Sequence, residues 1–350
     1  MVPLKIGVAM SGGVDSTMAA SLLCEQGHEV HGFFMLLPLP DLESQLRRVR
    51  QVADRLAVPL TLVDLRDRFA AEVIGYFTAT YRTGLTPNPC IRCNHAIKFG
   101  LLAEAMRSHG MERIATGHYV RLEQQDGRPF VARGGDRAKD QSYFLARLTA
   151  GQLQQALFPL GGCTKEQMYA RAAGMGLSFD GQESQDVCFL ADGLPAFLAE
   201  QGIGDQAGPV VTRDGRRLGA HRGVWHYTIG QRRGLGLPDA TPWYVVALDG
   251  AANRVIVGKH DELFANRCLV HDLRWTHEPP PLPWRGLVQL RSRHVPAAAE
   301  LTPVDAGTWQ LTFAAPQRAI TPGQFAVFYQ DDRVLGSAVI VPEIAAEHEP

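Results

Sequence analysis

The stretch AMSGGVDS, residues 9–16, begins at the end of an apolar, β-branched-rich run (residues 4–10) and leads into residues 17–23, which read as a helix closed by Gly27. The expected unit is strand, loop, helix. Glycines at such a turn let backbone amides approach a ligand, and a helix N-terminus adds partial positive charge, so the unit suits a phosphate. A glycine-rich turn that binds nothing accounts for Gly12 and Gly13 but leaves Ser11, Asp15 and Ser16 unexplained. The spacing is neither G-x-x-x-x-G-K-[ST] nor G-x-G-x-x-G, which disfavours γ-phosphate transfer and NAD binding.

Outward from the loop, strand-like runs at residues 4–10, 29–35, 60–65 and 113–116 alternate with helical patterns. In DLESQLRRVRQVADRLAV (41–58), Leu42, Leu46, Val49, Ala53 and Leu56 fall on one stripe with arginines opposite. Such alternation predicts an α/β domain with a mostly parallel sheet covered on both faces. Ligands then sit at the carboxyl ends of the strands, where the glycine loop falls. After residue 200 helical periodicity fades, and GLVQLRSRHV (286–295), TWQLTFA (308–314) and FAVFYQDDRVLGSAVIV (325–341) read as strands and turns of a small β-barrel or sandwich. HEPPPLPW (277–284) reads as a stiff connector near the start of that part, and EIAAEHEP (343–350) as a loose tail.

The chain has 350 residues, 45% hydrophobic and 20% charged, as expected of a soluble protein of two or three domains. No apolar stretch approaches the ~18 residues of a membrane span, and no basic-then-apolar leader opens the sequence. A cytoplasmic location, away from membranes, is the expectation. Six cysteines, two of them as Cys90-Ile91-Arg92-Cys93, suit a reducing compartment in which paired thiols mean metal or redox chemistry. A net charge of −1 means that nucleic-acid binding would need a local patch. Residues 212–233 offer one: Arg213, Arg216, Arg217, Arg222, Arg232 and Arg233 against the single acid Asp214, with His221, Trp225, His226 and Tyr227 among them.

SGGVDS after a first strand resembles the pyrophosphate loop (PP-loop) of the ATP-pyrophosphatase superfamily. Further motifs narrow the resemblance: TPNPCIRCNHAIKFG (86–100), ATGHY (115–119), KDQSYFL (139–145), ESQDVCF (183–189), HYTIGQRRGLG (226–236), PWYVV (242–246) and TPGQFAVFY (321–329). In this order they resemble the tRNA-specific 2-thiouridylases, over nearly the whole chain. The family adenylates the C2 oxygen of the wobble uridine in certain tRNAs and replaces it with sulfur from an enzyme persulfide. The resemblance implies ATP and Mg2+, tRNA as partner, an upstream persulfide donor or carrier, and a division into a PP-loop ATP-pyrophosphatase catalytic domain at 1–198, a small central tRNA-binding domain at 199–265 and a C-terminal β-barrel domain at 266–345.

By that resemblance Ser11, Gly12, Gly13 and Ser16 hold pyrophosphate and Asp15 places the nucleotide or its magnesium, with Ala9, Met10 and Val14 in the same loop. Met35 and Gly117 line the adenosine pocket. Cys188 takes the persulfide, and Cys93 attacks it to release sulfide or closes a disulfide after transfer. A thiolate-based persulfide is a strong nucleophile that a second thiol can resolve, which is why two cysteines are needed. Asn88, Pro89 and Cys90 lie against the target base, while Lys139, Asp140, Gln141, His118, Arg291, Ser292 and Gln324 contact the tRNA. Cys24, Cys163 and Cys268 receive no role.

The chain departs from the common pattern of the family at three places. Cys90 stands where many members have an aspartate, so the general acid or base is unassigned. Two readings of Cys90 stay open: a neighbouring polar thiol, or one of three ligands with Cys93 and Cys188 to an iron-sulfur cluster with one open iron. Ser292 replaces the usual tyrosine, and the loop after Met35 lacks a longer acidic, cysteine-containing insertion. Two other functions compete: a PP-loop ligase acting on a small metabolite, which has no use for paired cysteines, and a non-catalytic tRNA-binding sulfur relay.

Overall fold

The structure, a computed structural model, describes residues 2–179, 187–190 and 192–342. Part of ESQDVCF and the tail from residue 343 lie outside the described residues. The chain forms two compact units: Met1–Ile74 with Pro89–Ala191 and Gln330–Leu335, and Gly75–Asn88 with Asp192–Tyr329 and Gly336–Pro350.

In the first unit, β1 (Lys5–Ala9), β2 (Glu29–Leu36), β3 (Leu60–Asp64), β4 (Arg113–Ala115) and β7 (Ala156–Leu157) form a sheet in the order β3-β2-β1-β4-β7. Every pairing in it is parallel. The helices that follow β1 and β2 are α1 (Val14–Glu25) and α2 (Leu42–Leu56). Ile6, Val8 and Met10 pack with Ala20, Leu23, Val30, Phe34, Val49 and Val52. The opposite side of α1 buries Met18 and Ala19 against Tyr119, Leu160, Met168 and Ala172. Helix α1 is thus covered on both sides, so its apolar residues show no single stripe, whereas α2 keeps one face in water. Strands β5 (Val120–Gln125) and β6 (Arg128–Arg133) make a hairpin, with Arg333 paired to Ala132. Asp332 accepts from Arg121 at 2.9 Å and Arg137 at 2.6 Å.

In the second unit, β8 (Gly208–Val211), β9 (Arg217–His221), β10 (Tyr244–Asp249) and β11 (Arg254–Gly258) form a sheet in the order β10-β11-β8-β9 over Val210, Val224, Val245, Val255 and Val257. The remaining strands are β12 (Phe264–Trp275), β13 (Trp284–Gln289), β14 (Ala297–Asp305), β15 (Thr308–Arg318), β16 (Phe325–Gln330) and β17 (Arg333–Val341). They run β12-β15-β14-β13-β16-β17, and pairing of β12 with β17 closes a six-stranded barrel. Of the two expected forms the barrel is therefore the correct one. HEPPPLPW connects β12 to β13, the first two strands of the barrel, near its start as expected.

Candidate functional site

Strand order reverses between β1 and β4, and the loops after these two strands meet there, at the crevice where open α/β sheets take their ligands. A Cβ on Gly117 would lie 2.6 Å from the carbonyl carbon of Asp15 and 2.8 Å from its oxygen, so only glycine lets the β4 loop close on the SGGVDS turn. Gly12 has φ +79°, and a Cβ there would stand 3.0 Å from the Val49 amide. The serines shape the turn from within. Ser11 N donates to Ser16 Oγ at 3.1 Å, and Ser16 Oγ and Thr17 Oγ1 donate to the Gly13 carbonyl at 3.1 and 2.9 Å. Helix α1 has Gly13 as N-cap, with no side-chain cap, which leaves first-turn amides to a ligand. Ser11 and Gly13 face solvent. A polyphosphate fits this cradle. Ala9 and Met35 are half-buried at the ends of β1 and β2, and Met10 and Val14 are buried.

Sequence reasoning missed the partners of Asp15. Lys165 Nζ stands 2.7 Å from each carboxylate oxygen, and Tyr119 OH donates to Oδ1 at 2.8 Å. Burial raises the Tyr119 phenol well above its usual range, and Asp15 adds to the effect, so it stays a protonated donor. Lys165 opens the helix Lys165–Gly174, whose capping box (Thr164 with Gln167) was a readable start signal, but nothing in sequence tells where its ammonium goes.

The short helix Pro89–Cys93 runs directly into a π-helical segment, Asn94–Leu102. Gln152 braces that segment: its Nε2 donates to the carbonyls of His95 at 2.9 Å and Phe99 at 3.1 Å. Cys90 and Cys188 reach solvent and Cys93 is half-buried. The surrounding protein nevertheless raises all three thiols by burial, Cys93 to about 12. Lys98 acts in the opposite direction on each of them, whereas Cys188 and Cys90 push Cys93 further up. Lys98 was not anticipated. Cys93 thus feels Lys98, Cys188 and Cys90, all of them in the first unit. His118, 8% exposed, shares its Nδ1 with the Thr116 hydroxyl at 2.7 Å and is held neutral, first by burial and then by Lys98. Among the described residues, no three Cys, His, Asp or Glu side chains are gathered to hold a metal ion. Cys90, Cys93 and Cys188 as placed do not fit a cluster.

The expected RNA-contacting residues fall in both units. In the first, Asp140 accepts from the Gly134 amide at 3.0 Å and the Ser142 hydroxyl at 2.8 Å, and Gln141 Oε1 accepts from the Tyr119 amide at 2.9 Å, so these two residues shape their turn. Lys139 is half-buried and Pro89 buried. In the second, Gln324 donates to the carbonyls of Thr86 and Pro87, both at 3.0 Å, and receives Asn88 Nδ2 at 3.5 Å. Arg291 donates to the Arg318 carbonyl at 3.1 Å, and Ser292 is exposed. All six arginines of residues 212–233 are exposed, Arg213 pairing with Glu262 at 3.3 Å. The rings among them are otherwise engaged: Trp225 is buried and stacks on His226 at 3.5 Å, and His226 meets Asp205 at 2.7 Å.

A parallel sheet carrying a serine- and glycine-rich phosphate cradle at its switch point defines a nucleotide-binding α/β protein of the PP-loop class. Residues 4–192 match the family described as "tRNA methyl transferase HUP domain", 196–259 a "tRNA methyl transferase PRC-barrel domain" and 265–340 an "Aminomethyltransferase beta-barrel domain". The "tRNA-specific 2-thiouridylase MnmA" of Desulfotalea psychrophila is 45% identical over 345 residues, covering 97% of this chain and 100% of that protein. The protein of the same name from Syntrophotalea carbinolica is 43% identical over 342 residues, 95% of this chain and 97% of that one. The chain belongs to the tRNA-specific 2-thiouridylase family. Among solved structures, "U34-tRNA thiolase NcsA from Methanococcus maripaludis with its [4Fe-4S] cluster" overlaps 56% of this chain and 63% of its own at 16% identity and TM-score 0.36, too slight a likeness to argue from. No helix among the described residues is long and apolar enough to cross a membrane.

Proposed function

We propose that the protein is a tRNA 2-thiouridylase: it adenylates the C2 oxygen of a wobble uridine and then replaces that oxygen with sulfur. The observation that carries the reading is the preformed polyphosphate cradle of the SGGVDS turn, in the same compact unit as the two thiols Cys93 and Cys188. A uridine C2 carbonyl has a poor leaving group. Attack of that oxygen on the α-phosphorus of ATP expels pyrophosphate, held by the amides around Gly12 and Gly13, and turns the oxygen into part of a phosphate ester. Mg2+ would supply charge neutralisation at the phosphates, with Asp15 as its carboxylate.

The outer sulfur of a Cys188 persulfide, delivered by an upstream donor, then attacks C2. Attack of Cys93 on the inner Cys188 sulfur breaks the S–S bond, leaves the new sulfur on the ring as AMP departs, and closes a Cys93–Cys188 disulfide that a reductant reopens. A persulfide is more acidic than a thiol, so it can ionise where burial keeps a thiol neutral. No step is routed through a metal cluster, because the three cysteines do not fit one. A small-metabolite ligase and methyl transfer, the phrase in two of the domain descriptions, both leave the paired thiols without use. Cytoplasmic location follows from this substrate. The test is AMP release from ATP with unmodified tRNA. The reading expects AMP that depends on tRNA, loss of it in Asp15→Ala, and retention of it in Cys188→Ser; AMP formed equally without tRNA refutes it.

A further inference from the structure

We propose that Lys165 is a phosphate-binding residue of the nucleotide site, held in reserve on Asp15 and handed to the polyphosphate when the nucleotide arrives. The proposal rests on the reading that the SGGVDS loop binds ATP. Its basis is the contact at the mouth of the cradle. Both oxygens of Asp15 are taken by the Lys165 ammonium at 2.7 Å, and Tyr119 adds a third hydrogen bond at 2.8 Å. Asp15 is the acidic residue of the first turn of α1, beside the amides the cradle offers. Gly117 presses on its backbone. An anion as highly charged as a polyphosphate would meet repulsion from Asp15 unless a cation stood by.

Lys165 has the attributes such a cation needs. Its side chain is 13% exposed, and a nearly buried ammonium is costly unless an anion faces it, so it must keep a partner in each state. Its ammonium lies 5.6 Å and 5.3 Å from the ring centroids of Tyr119 and Tyr169, which wall it in and direct it to the cradle side. The stem is long and flexible, so a shift of a few ångströms needs only rotamer changes. A divalent cation that takes the Asp15 carboxylate competes with the ammonium for the same oxygens, and the phosphates it carries supply the ammonium with a replacement. Asp15 and Lys165 therefore exchange partners as the site fills.

Calorimetric titration of the full chain with ATP, pyrophosphate and AMP, with and without Mg2+ and without tRNA, tests this. Lys165→Met is expected to weaken ATP and pyrophosphate at least about tenfold and AMP by less than about threefold. Asp15→Asn is expected to bind ATP more tightly than wild type in the absence of metal and to lose the gain that Mg2+ gives. Lys165→Arg, which keeps the charge, is expected to retain most of the ATP affinity, and it guards against a variant that merely misfolds. Unchanged ATP affinity in Lys165→Met, equal losses for AMP and ATP, or metal-free ATP binding that weakens in Asp15→Asn each overturn the proposal. Wild-type protein that binds no ATP would sink the nucleotide reading itself, which is a separate outcome.

Discussion

Cys93 carries the sharpest constraint at the scale of single residues. Burial raises its thiol to about 12, and Lys98 offsets only part of that. Below that value the thiolate fraction grows about tenfold for each pH unit, so site-resolved alkylation of Cys93 by iodoacetamide is expected to climb steadily from pH 7 to pH 10 without a plateau. Lys98→Met is expected to slow alkylation of Cys93 and Cys188 further at every pH. Cys163, on which Arg171 is the charge that acts, should keep its profile. A linked effect on stability has a definite sign. Thiols whose folded values are raised contribute stability that is present below the ordinary thiol value and lost as pH rises through the folded ones. The melting temperature is therefore expected to fall above pH ~9, and to fall less in Cys93→Ser; an equal fall in both would show that this thiol is not the cause.

At the scale of elements, the closeness of the two loops at the switch point is the feature on which the site depends. Gly117→Ala puts a methyl group 2.6 Å from the Asp15 backbone, so a loss of about 1–3 kcal/mol and weaker ATP binding are expected, read by thermal melting and titration. A variant with wild-type melting and affinity would show that the loops part easily. This approach was half legible. The strands, the SGGVDS turn and the stripe of α2 could be read because glycine, β-branching and periodicity act locally. The apposition of Gly117 to Asp15 could not, since it depends on β4 settling beside β1 in the sheet. The start of α1 at Val14, ahead of the expected Thr17, has a local cause: Gly13 caps the helix and brings the loop valine into its first turn. Lys165 and Lys98 escaped sequence reasoning for different reasons. Lys165 meets Asp15 across 150 residues. Lys98 sits on a π-helical segment, whose altered spacing and bracing by Gln152 no periodicity rule anticipates. Strand alternation alone left barrel and sandwich open, because the two look the same until β12 pairs with β17, and it was the family resemblance that implied the barrel.

At the scale of the whole molecule, the composition is close to neutral, so RNA affinity has to reside in patches such as the exposed arginines of residues 212–233. With Trp225 buried and stacked on His226, that patch offers charge more than stacking. Arg232→Ala together with Arg233→Ala is expected to weaken tRNA binding and to lower the slope of log affinity against log salt by about 1–2, the signature of two lost phosphate contacts. An unchanged slope would place the RNA elsewhere. Domain descriptions match residues 4–192, 196–259 and 265–340, whereas compactness gives two units. The central claim is that an oxygen is activated at one end of the first unit's sheet and replaced by sulfur from a Cys188 persulfide that Cys93 resolves. Nucleoside mass analysis of unmodified tRNA incubated with ATP, Mg2+, a persulfide donor and the protein tests it most directly. The account predicts 2-thiouridine at the wobble position with wild type, and none with Cys188→Ser or Cys93→Ser although both still release AMP; 2-thiouridine formed at the wild-type level by Cys188→Ser would contradict it.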